Sequence, residues 1–161
     1  MNTDTILRKI GEETPDAFYL QVGAMDGHSF DGLCGYVDLF KWKGLFVEPM
    51  PEMYQKLLEY YSTLCDEEHN AGKHAEYYDS LRFENSAISD YDGHIKFIRI
   101  PPAIVDKGFP EYDQHKYRQC FNGMAAVYPP RNGLGSEGDR EIVEKYGETI
   151  TVPCVTMKTL M

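Results

Sequence analysis

Small and acidic residues follow two short apolar runs of this chain, at residues 18–22 and 44–47. The first run is followed by small or turn-forming residues that let the backbone approach a bound molecule closely: Gly23, Ala24, Asp26 and Gly27. The second run is followed by Glu48 and Pro49. In an open α/β sheet, a glycine turn after one strand and an acid at the tip of the next form a nucleoside crevice, with the acid on the ribose hydroxyls. The spacing therefore predicts a nucleoside site that includes Glu48.

The elements that must position these residues alternate between strand and helix. The hydrophobic spacing predicts a helix over 4–12, a strand over 17–23, a helix over 29–41, a strand over 45–47, and a helix from about 49–51 to about 62. Residues 82–89 are predicted to form a third strand and its exit. This order predicts an α/β fold with a parallel sheet and right-handed crossovers. The Asp-Gly turn at 90–93 predicts an antiparallel hairpin extension through residues 94–100. A last strand over 148–156 is expected at an edge, because Pro153 lacks an N–H.

Residues 101–140 are rich in proline, glycine, tyrosine and charge. A connection of this length is usually functional or disordered, so we expect a flexible insertion or a lid. The polar stretch 66–74 is also expected to be a loop. Residues 1–161 together are expected to form one domain, because this length suits a single buried core.

Composition and charge exclude several classes of protein. Apolar content of 42% and aromatic content of 13% are typical of a folded globular chain. The net charge of −10 argues against a nucleic-acid partner, which needs a basic surface, and against anionic membranes. No apolar run has the length of about eighteen residues that a span needs, and the N-terminus lacks the apolar core of a secretory signal. We therefore expect a cytoplasmic protein.

Residues able to bind metals or move protons are scattered along the sequence. Cys65, His69 and His74 have a suggestive spacing, but a zinc site needs about four convergent ligands and no fourth is evident. We therefore expect no metal. Asp113 and His115 can do acid–base chemistry, but a lone loop histidine is usually solvated. The catalytic residue stays unassigned.

Four motifs follow one another along the chain. They are Val-Gly-Ala-Met-Asp-Gly at 22–27, Trp-Lys-Gly-Leu-Phe-Val-Glu-Pro-Met-Pro at 42–51, Asn-Ser-Ala-Ile-Ser-Asp-Tyr-Asp-Gly at 85–93, and Ile-Thr-Val-Pro-Cys-Val-Thr-Met at 150–157. In this order they resemble the FkbM family of S-adenosylmethionine-dependent methyltransferases. The resemblance implies a Rossmann-like class I methyltransferase sheet. It also implies S-adenosylmethionine as the cofactor.

The resemblance further implies roles for the residues around the glycine turn. Gly23 and Ala24 are expected to contact the methionine part of the cofactor through their backbone. Asp26 and Gly27 are expected to shape the same turn. Gln21 stands where the family often has an acid, and its amide can still accept a hydrogen bond from the amino group of the cofactor.

The ends of the next two strands receive roles in the same way. Glu48, which precedes Pro49, is expected to hold the ribose hydroxyls through two charge-assisted hydrogen bonds. Ser86 and Ala87 are expected to border the adenine. The implied reaction is methyl transfer to an oxygen of a small or carbohydrate-like acceptor.

The family pattern continues beyond the last strand of this chain. In the family, a fourth parallel strand with an Asp-x-Glu-Gly signature flanks the methyl-transfer site, whereas this sequence ends at Met161. We therefore expect a sheet truncated after its third parallel strand, belonging to a longer protein. An apolar strand edge is then exposed, so we expect marginal stability or self-association through that edge.

Two alternative functions stay open at this point. A dinucleotide-binding oxidoreductase shares the glycine turn and the acid, although His28 occupies the third glycine position of Gly-x-Gly-x-x-Gly. A sheet that lacks its catalytic strand also suits a non-catalytic binding module.

Overall fold

A computed structural model describes residues 2–29, 32–70, 75–78, 80–109, 125–127 and 137–161. The chain divides into two compact units, Met1–Ser86 and Ala87–Met161. Both combine helices with strands, so the architecture is mixed α/β. The prediction that residues 1–161 act as one domain stays a prediction. In the part of the chain that the structure covers, no helix has the length and apolar character needed to cross a membrane.

The first unit contains a parallel sheet of three strands. Its elements are α1 (Thr3–Glu13), β1 (Phe18–Val22), α2 (Cys34–Phe40), β2 (Lys43–Val47), α3 (Pro51–Asn70), α4 (Ala75–Tyr78) and β3 (Arg82–Glu84). The strand order is β1-β2-β3, and both neighbouring pairs are parallel. The parallel sheet predicted from the β-α-β-α-β order is therefore confirmed for this unit.

The three strands of this sheet end level with one another. Val22 pairs with Val47, and Val47 pairs with Glu84. The ladder continues beyond the strands, because Gly23 N donates to Val47 O at 2.8 Å and Glu48 N donates to Glu84 O at 3.0 Å. The residues that follow β1, β2 and β3 are thus collected at one edge of the sheet.

Phe46 of β2 is at the centre of the core beneath this edge. Its ring stacks on Phe83 with centroids 5.3 Å apart and meets Tyr61 at 4.7 Å. Met53, Leu57 and Tyr61 are buried at four-residue intervals along α3, so they form one apolar face of the helix. Burial of each such side chain contributes about 1.5–3 kcal/mol. These contacts fix α3 against the sheet.

The helix α3 is longer than the sequence pattern predicts. It begins at Pro51, where the missing N–H of proline costs nothing, and extends to Asn70. The prediction of a loop from residue 66 is wrong as far as residue 70, and 71–74 lie outside the described residues. Leu64 and Cys65 pack against the core around Phe46, so tertiary contacts support the helix into its polar end.

The second unit contains a mixed sheet of four strands. Its elements are β4 (Ala87–Ser89), β5 (Gly93–Arg99), α5 (Pro102–Lys107), β6 (Ala125–Val127), α6 (Glu137–Tyr146), β7 (Glu148–Thr156) and α7 (Met157–Leu160). The strand order is β4-β7-β5-β6, with β4 and β7 parallel and the other pairs antiparallel. The third strand predicted within 82–89 is β3, and its predicted exit contains a second strand, β4, which belongs to the other sheet.

The predicted Asp-Gly hairpin is wrong, because β7 lies between β4 and β5. The turn at 90–93 is bound to the end of β7 instead. Asp92 Oδ1 accepts the N–H of Thr156 at 2.6 Å, and Asp92 Oδ2 accepts the hydroxyl of Thr159 at 2.6 Å. These long-range bonds favour pairing of both strands with β7 over pairing with each other.

The predicted edge position of Pro153 is also wrong for β7 as a whole, since β7 has neighbours on both sides. The pairing with β4 begins only at Cys154, so at Pro153 the strand has its described neighbour on the β5 side alone. A missing N–H is tolerated at such a position.

Part of the predicted insertion at 101–140 has regular structure. The helix α5, the strand β6 and the first residues of α6 fall within it. Its remaining residues from 110 onward lie largely outside the described ranges, and the proposed lid stays a prediction.

Candidate functional site

Glu48 connects the ends of all three parallel strands. Its Oε2 accepts the backbone N–H of Met25, after β1, at 2.8 Å, and its Oε1 accepts the N–H of Met50 at 2.9 Å. Its backbone carbonyl accepts the side-chain amide of Asn85, after β3, at 2.7 Å. The side chain is only 3% exposed. The acid at the tip of β2 is therefore held rigidly at the edge where the sequence predicts a ligand.

The environment of Glu48 leaves it capacity for further hydrogen bonds. A carboxylate offers about four lone-pair positions, and the two N–H groups use two of them. Burial raises the pKa of Glu48, and the hydrogen bonds from Met50 and Met25 offset this only in part. Donors such as ribose hydroxyls would complete its coordination and favour the ionised form.

The turn after β1 has left-handed backbone at Gly23, Met25 and Gly27, with φ of +77°, +52° and +84°. A Cβ added at Gly23 would meet no heavy atom within 4 Å, so this side of the turn is open. A Cβ added at Gly27 would lie 2.7 Å from Leu57 Cδ1. Gly27 therefore allows the turn to pack closely against α3, whereas Gly23 leaves open space beside the turn.

Ala24 has a different position from Gly23. It is buried and packs in the core cluster with Phe46 and Leu57. The N–H groups of Gly23 and Ala24 both donate to Val47 O, at 2.8 and 3.1 Å. A ligand at this turn would thus meet the open side of Gly23, because these N–H groups already hold the turn to β2.

Asp26 closes the same turn by accepting two backbone N–H groups on Oδ1, from Ser29 at 2.8 Å and from His28 at 3.3 Å. Burial alone would raise the pKa of Asp26, but the hydrogen bonds from Ser29 and His28 outweigh it and lower the pKa. The ring of His28 stacks on Tyr60, with centroids 4.9 Å apart. Asp26 therefore has a shaping role in the turn.

Two buried polar atoms at this edge of the sheet have no hydrogen-bond partner among the residues described, Gln21 Oε1 and Ser86 Oγ. Gln21 pairs in register with Phe46, so their side chains share one face of the sheet. Ser86 is completely buried. An unsatisfied buried polar group costs about 1–3 kcal/mol, so a ligand that forms hydrogen bonds with Gln21 Oε1 and Ser86 Oγ would gain from these positions.

The remaining predicted residues are placed less centrally. Pro49 lies in the short coil between Glu48 and α3. Ala87 is buried at the start of β4, where it pairs with Cys154 in the second unit. The first unit therefore contains every predicted cofactor residue except Ala87.

Sequence reasoning missed Met25, Met50 and Asn85. The two methionines contribute backbone N–H groups, which residue type does not reveal. Asn85 was detectable only from its position after the third strand.

No metal site emerges from the described side chains, in which no group of three or more His, Cys, Asp or Glu could hold an ion. The side chains of His69 and His74, and all of Asp113 and His115, lie outside the described residues. A scan against protein-family models and searches of curated proteins and of solved structures found no match to this chain. Function is therefore inferred from the site itself.

Proposed function

We propose that this chain binds S-adenosylmethionine in a Rossmann-like class I methyltransferase sheet of the FkbM type. The proposal depends on the buried carboxylate of Glu48. This carboxylate accepts a hydrogen bond from the turn after β1 and keeps about two lone-pair positions for hydrogen-bond donors of a ligand. The proposed activity is methyl transfer to an oxygen of a small or carbohydrate-like acceptor in the cytoplasm.

The residues at this edge fit the chemical groups of the cofactor. Glu48 would accept the ribose hydroxyls, and the open side of Gly23 would adjoin the methionine part. Gln21 Oε1, which has no hydrogen-bond partner among the described residues, would accept a hydrogen bond from the amino group of the cofactor. Ser86 Oγ, which also has none, would form a hydrogen bond at the adenine end. These two unsatisfied atoms support the fit, since the cofactor would supply a partner for each.

When bound, S-adenosylmethionine would supply an electrophilic methyl group, whose carbon bonds to the acceptor oxygen as its bond to sulfur breaks in line, leaving S-adenosylhomocysteine and releasing the hydroxyl proton of the acceptor. The role of this chain is to bind and orient, because such displacements depend mainly on alignment and exclusion of water. Glu48 fixes the ribose because its own orientation is locked by Met25 and Met50. The negative charge of the chain favours a cationic ligand.

A nicotinamide dinucleotide fits the same edge less well. Its pyrophosphate normally binds the N-terminus of a helix that follows the glycine turn directly. Here the next helix, α2, begins only at Cys34 and has seven residues. A cofactor without a pyrophosphate is therefore favoured.

Isothermal titration calorimetry with S-adenosylmethionine and with NAD tests the proposal. We expect one S-adenosylmethionine per chain, and at least about tenfold weaker binding for Glu48→Gln, which corresponds to about 1.4 kcal/mol. Glu12→Gln, an exposed change of equal charge on α1, should bind like the wild type. NAD binding without S-adenosylmethionine binding would overturn the proposal. Binding without transfer to any hydroxyl acceptor would reduce the function to that of a binding module.

A further inference from the structure

The side chain of Gln21 lies among aromatic rings, just before the turn that follows β1. Gln21 pairs in register with Phe46 of β2, which is completely buried, and it shares a face of the sheet with Tyr19. The ring of Tyr19 meets that of Phe46 edge to face, with centroids 5.1 Å apart. A ligand group that binds the buried Oε1 of Gln21 would therefore leave water for apolar surroundings.

The amide of Gln21 differs from a carboxylate in both charge and hydrogen bonding. Its Oε1 has no hydrogen-bond partner among the described residues. Its Nε2 carries two N–H groups, so the same side chain can accept and donate, whereas a carboxylate can only accept. Because the amide is neutral, it cannot offset the charge of an ion that is buried against it.

The two carboxylates that belong to this edge of the sheet have other partners. Glu48 is held by the N–H groups of Met25 and Met50, and its remaining lone pairs are those that we propose for the ribose. Asp26 Oδ1 accepts the N–H of Ser29 at 2.8 Å and closes the turn. A cation bound to Gln21 would therefore be neutralised best by an anionic group of the ligand itself.

We propose that Gln21 selects a sulfonium nucleoside that ends in a zwitterionic amino acid and rejects one that ends in a simple amine. This inference rests on the proposed function, whose ligand it specifies further. Oε1 accepts from the ammonium group, and Nε2 donates to the carboxylate on the adjacent carbon. The two charged groups of the ligand neutralise each other, so the buried amide faces a pair without net charge.

Decarboxylated S-adenosylmethionine is the ligand that this arrangement excludes. It keeps the adenosine, the sulfonium and the amine but lacks the carboxylate, so its ammonium group would be buried without a counter-charge. Nε2 of Gln21 would also lose its acceptor. A glutamate at position 21 would reverse the preference, because its charge attracts a lone ammonium group and repels the carboxylate of the zwitterion.

Isothermal titration calorimetry with S-adenosylmethionine and with its decarboxylated form tests the proposal. Salt of about 0.3 M screens the long-range attraction between a chain of charge −10 and the more cationic ligand. We expect the wild type to bind S-adenosylmethionine at least about tenfold more tightly, the effect of one charged hydrogen bond. Gln21→Glu should lower this preference at least about tenfold. Gln55→Glu adds the same charge on the exposed surface of α3 and should keep the preference, although it loses its hydrogen bond to Glu59.

Gln21→Met is a second variant, in which no charge is buried. It removes two hydrogen bonds from S-adenosylmethionine and one from the decarboxylated form, so the preference should fall here as well. Equal binding of the two ligands by the wild type, or an unchanged preference in both variants of Gln21, would overturn this inference and leave the proposed function intact. Failure of the wild type to bind S-adenosylmethionine would overturn both.

Discussion

The carboxylate of Glu48 and the backbone N–H of Met25 are joined by a 2.8 Å hydrogen bond across 23 residues of sequence. Met25 has φ of +52°, a conformation that costs a non-glycine residue about 1 kcal/mol or more. The bond therefore holds a strained turn against the tip of the next strand. The acid that we propose as a ribose ligand also builds the turn that we propose to contact methionine.

Glu48→Gln should destabilise the protein in the absence of any ligand. Met25 N–H and Met50 N–H bind different oxygens of the carboxylate, so in a glutamine one of them would face the NH2 group, which cannot accept a hydrogen bond. We expect a loss of about 1–3 kcal/mol in the free energy of unfolding at pH 7, measured by urea denaturation. An unchanged midpoint would show that the two bonds are not needed to hold the turn.

The pH dependence of the same variant should reveal the ionisation of Glu48. Burial raises the folded-state pKa of Glu48 above its ordinary value of 4.5. A raised carboxyl pKa contributes stability that is fully present below the unfolded pKa and is lost as pH rises through the folded pKa. The advantage of the wild type over Glu48→Gln should therefore grow as pH falls from 7 toward 4.5. A constant difference between the two proteins would contradict a raised pKa.

Asp26→Asn should show the opposite dependence on pH. The hydrogen bonds from Ser29 and His28 lower the folded-state pKa of Asp26 despite its burial. The stability that its charge contributes is present above the unfolded pKa, near 3.8, and is lost as pH falls through the folded pKa. Urea denaturation at pH 7 should show that the free energy of unfolding of the variant is lower than that of the wild type by about 0.5–1.5 kcal/mol. That difference should shrink toward the lowest pH at which both proteins stay folded.

The sequence predicts the strand ends of the first unit well, because apolar runs that end in glycine or acid are local signals. Gly23 and Glu48 are recognisable for this reason. The position of β7 between two strands is not predictable in the same way, since it depends on Asp92 binding Thr156 and Thr159, which are distant in sequence. The extra length of α3 likewise depends on tertiary packing of Leu64 and Cys65.

Gly27→Ala and Gly23→Ala should separate folding from binding. Both positions have positive φ, but only at Gly27 would the new methyl group clash, 2.7 Å from Leu57 Cδ1. We expect Gly27→Ala to lose about 2–4 kcal/mol of stability and Gly23→Ala about 1 kcal/mol. Calorimetry on the folded Gly23→Ala protein should show weaker S-adenosylmethionine binding, because the methyl group fills the open side of the turn. Equal stability losses at the two positions would contradict this description of the turn.

Gln21→Glu should make the protein less stable alone and more responsive to S-adenosylmethionine. The buried Oε1 of Gln21 has no described partner, so a carboxylate there would be unpaired in the ligand-free protein. An amino group bound at this position would pair with the charge, through a hydrogen bond worth about 1.5–3 kcal/mol. Thermal unfolding with and without S-adenosylmethionine should therefore give a lower Tm for the free variant and a larger ligand-induced rise than in the wild type. Gln55→Glu, an exposed change on α3 that loses the hydrogen bond of Gln55 to Glu59, should leave the ligand-induced rise as in the wild type. A Gln21→Glu protein with an unchanged ligand-induced rise would remove Gln21 from the proposed site.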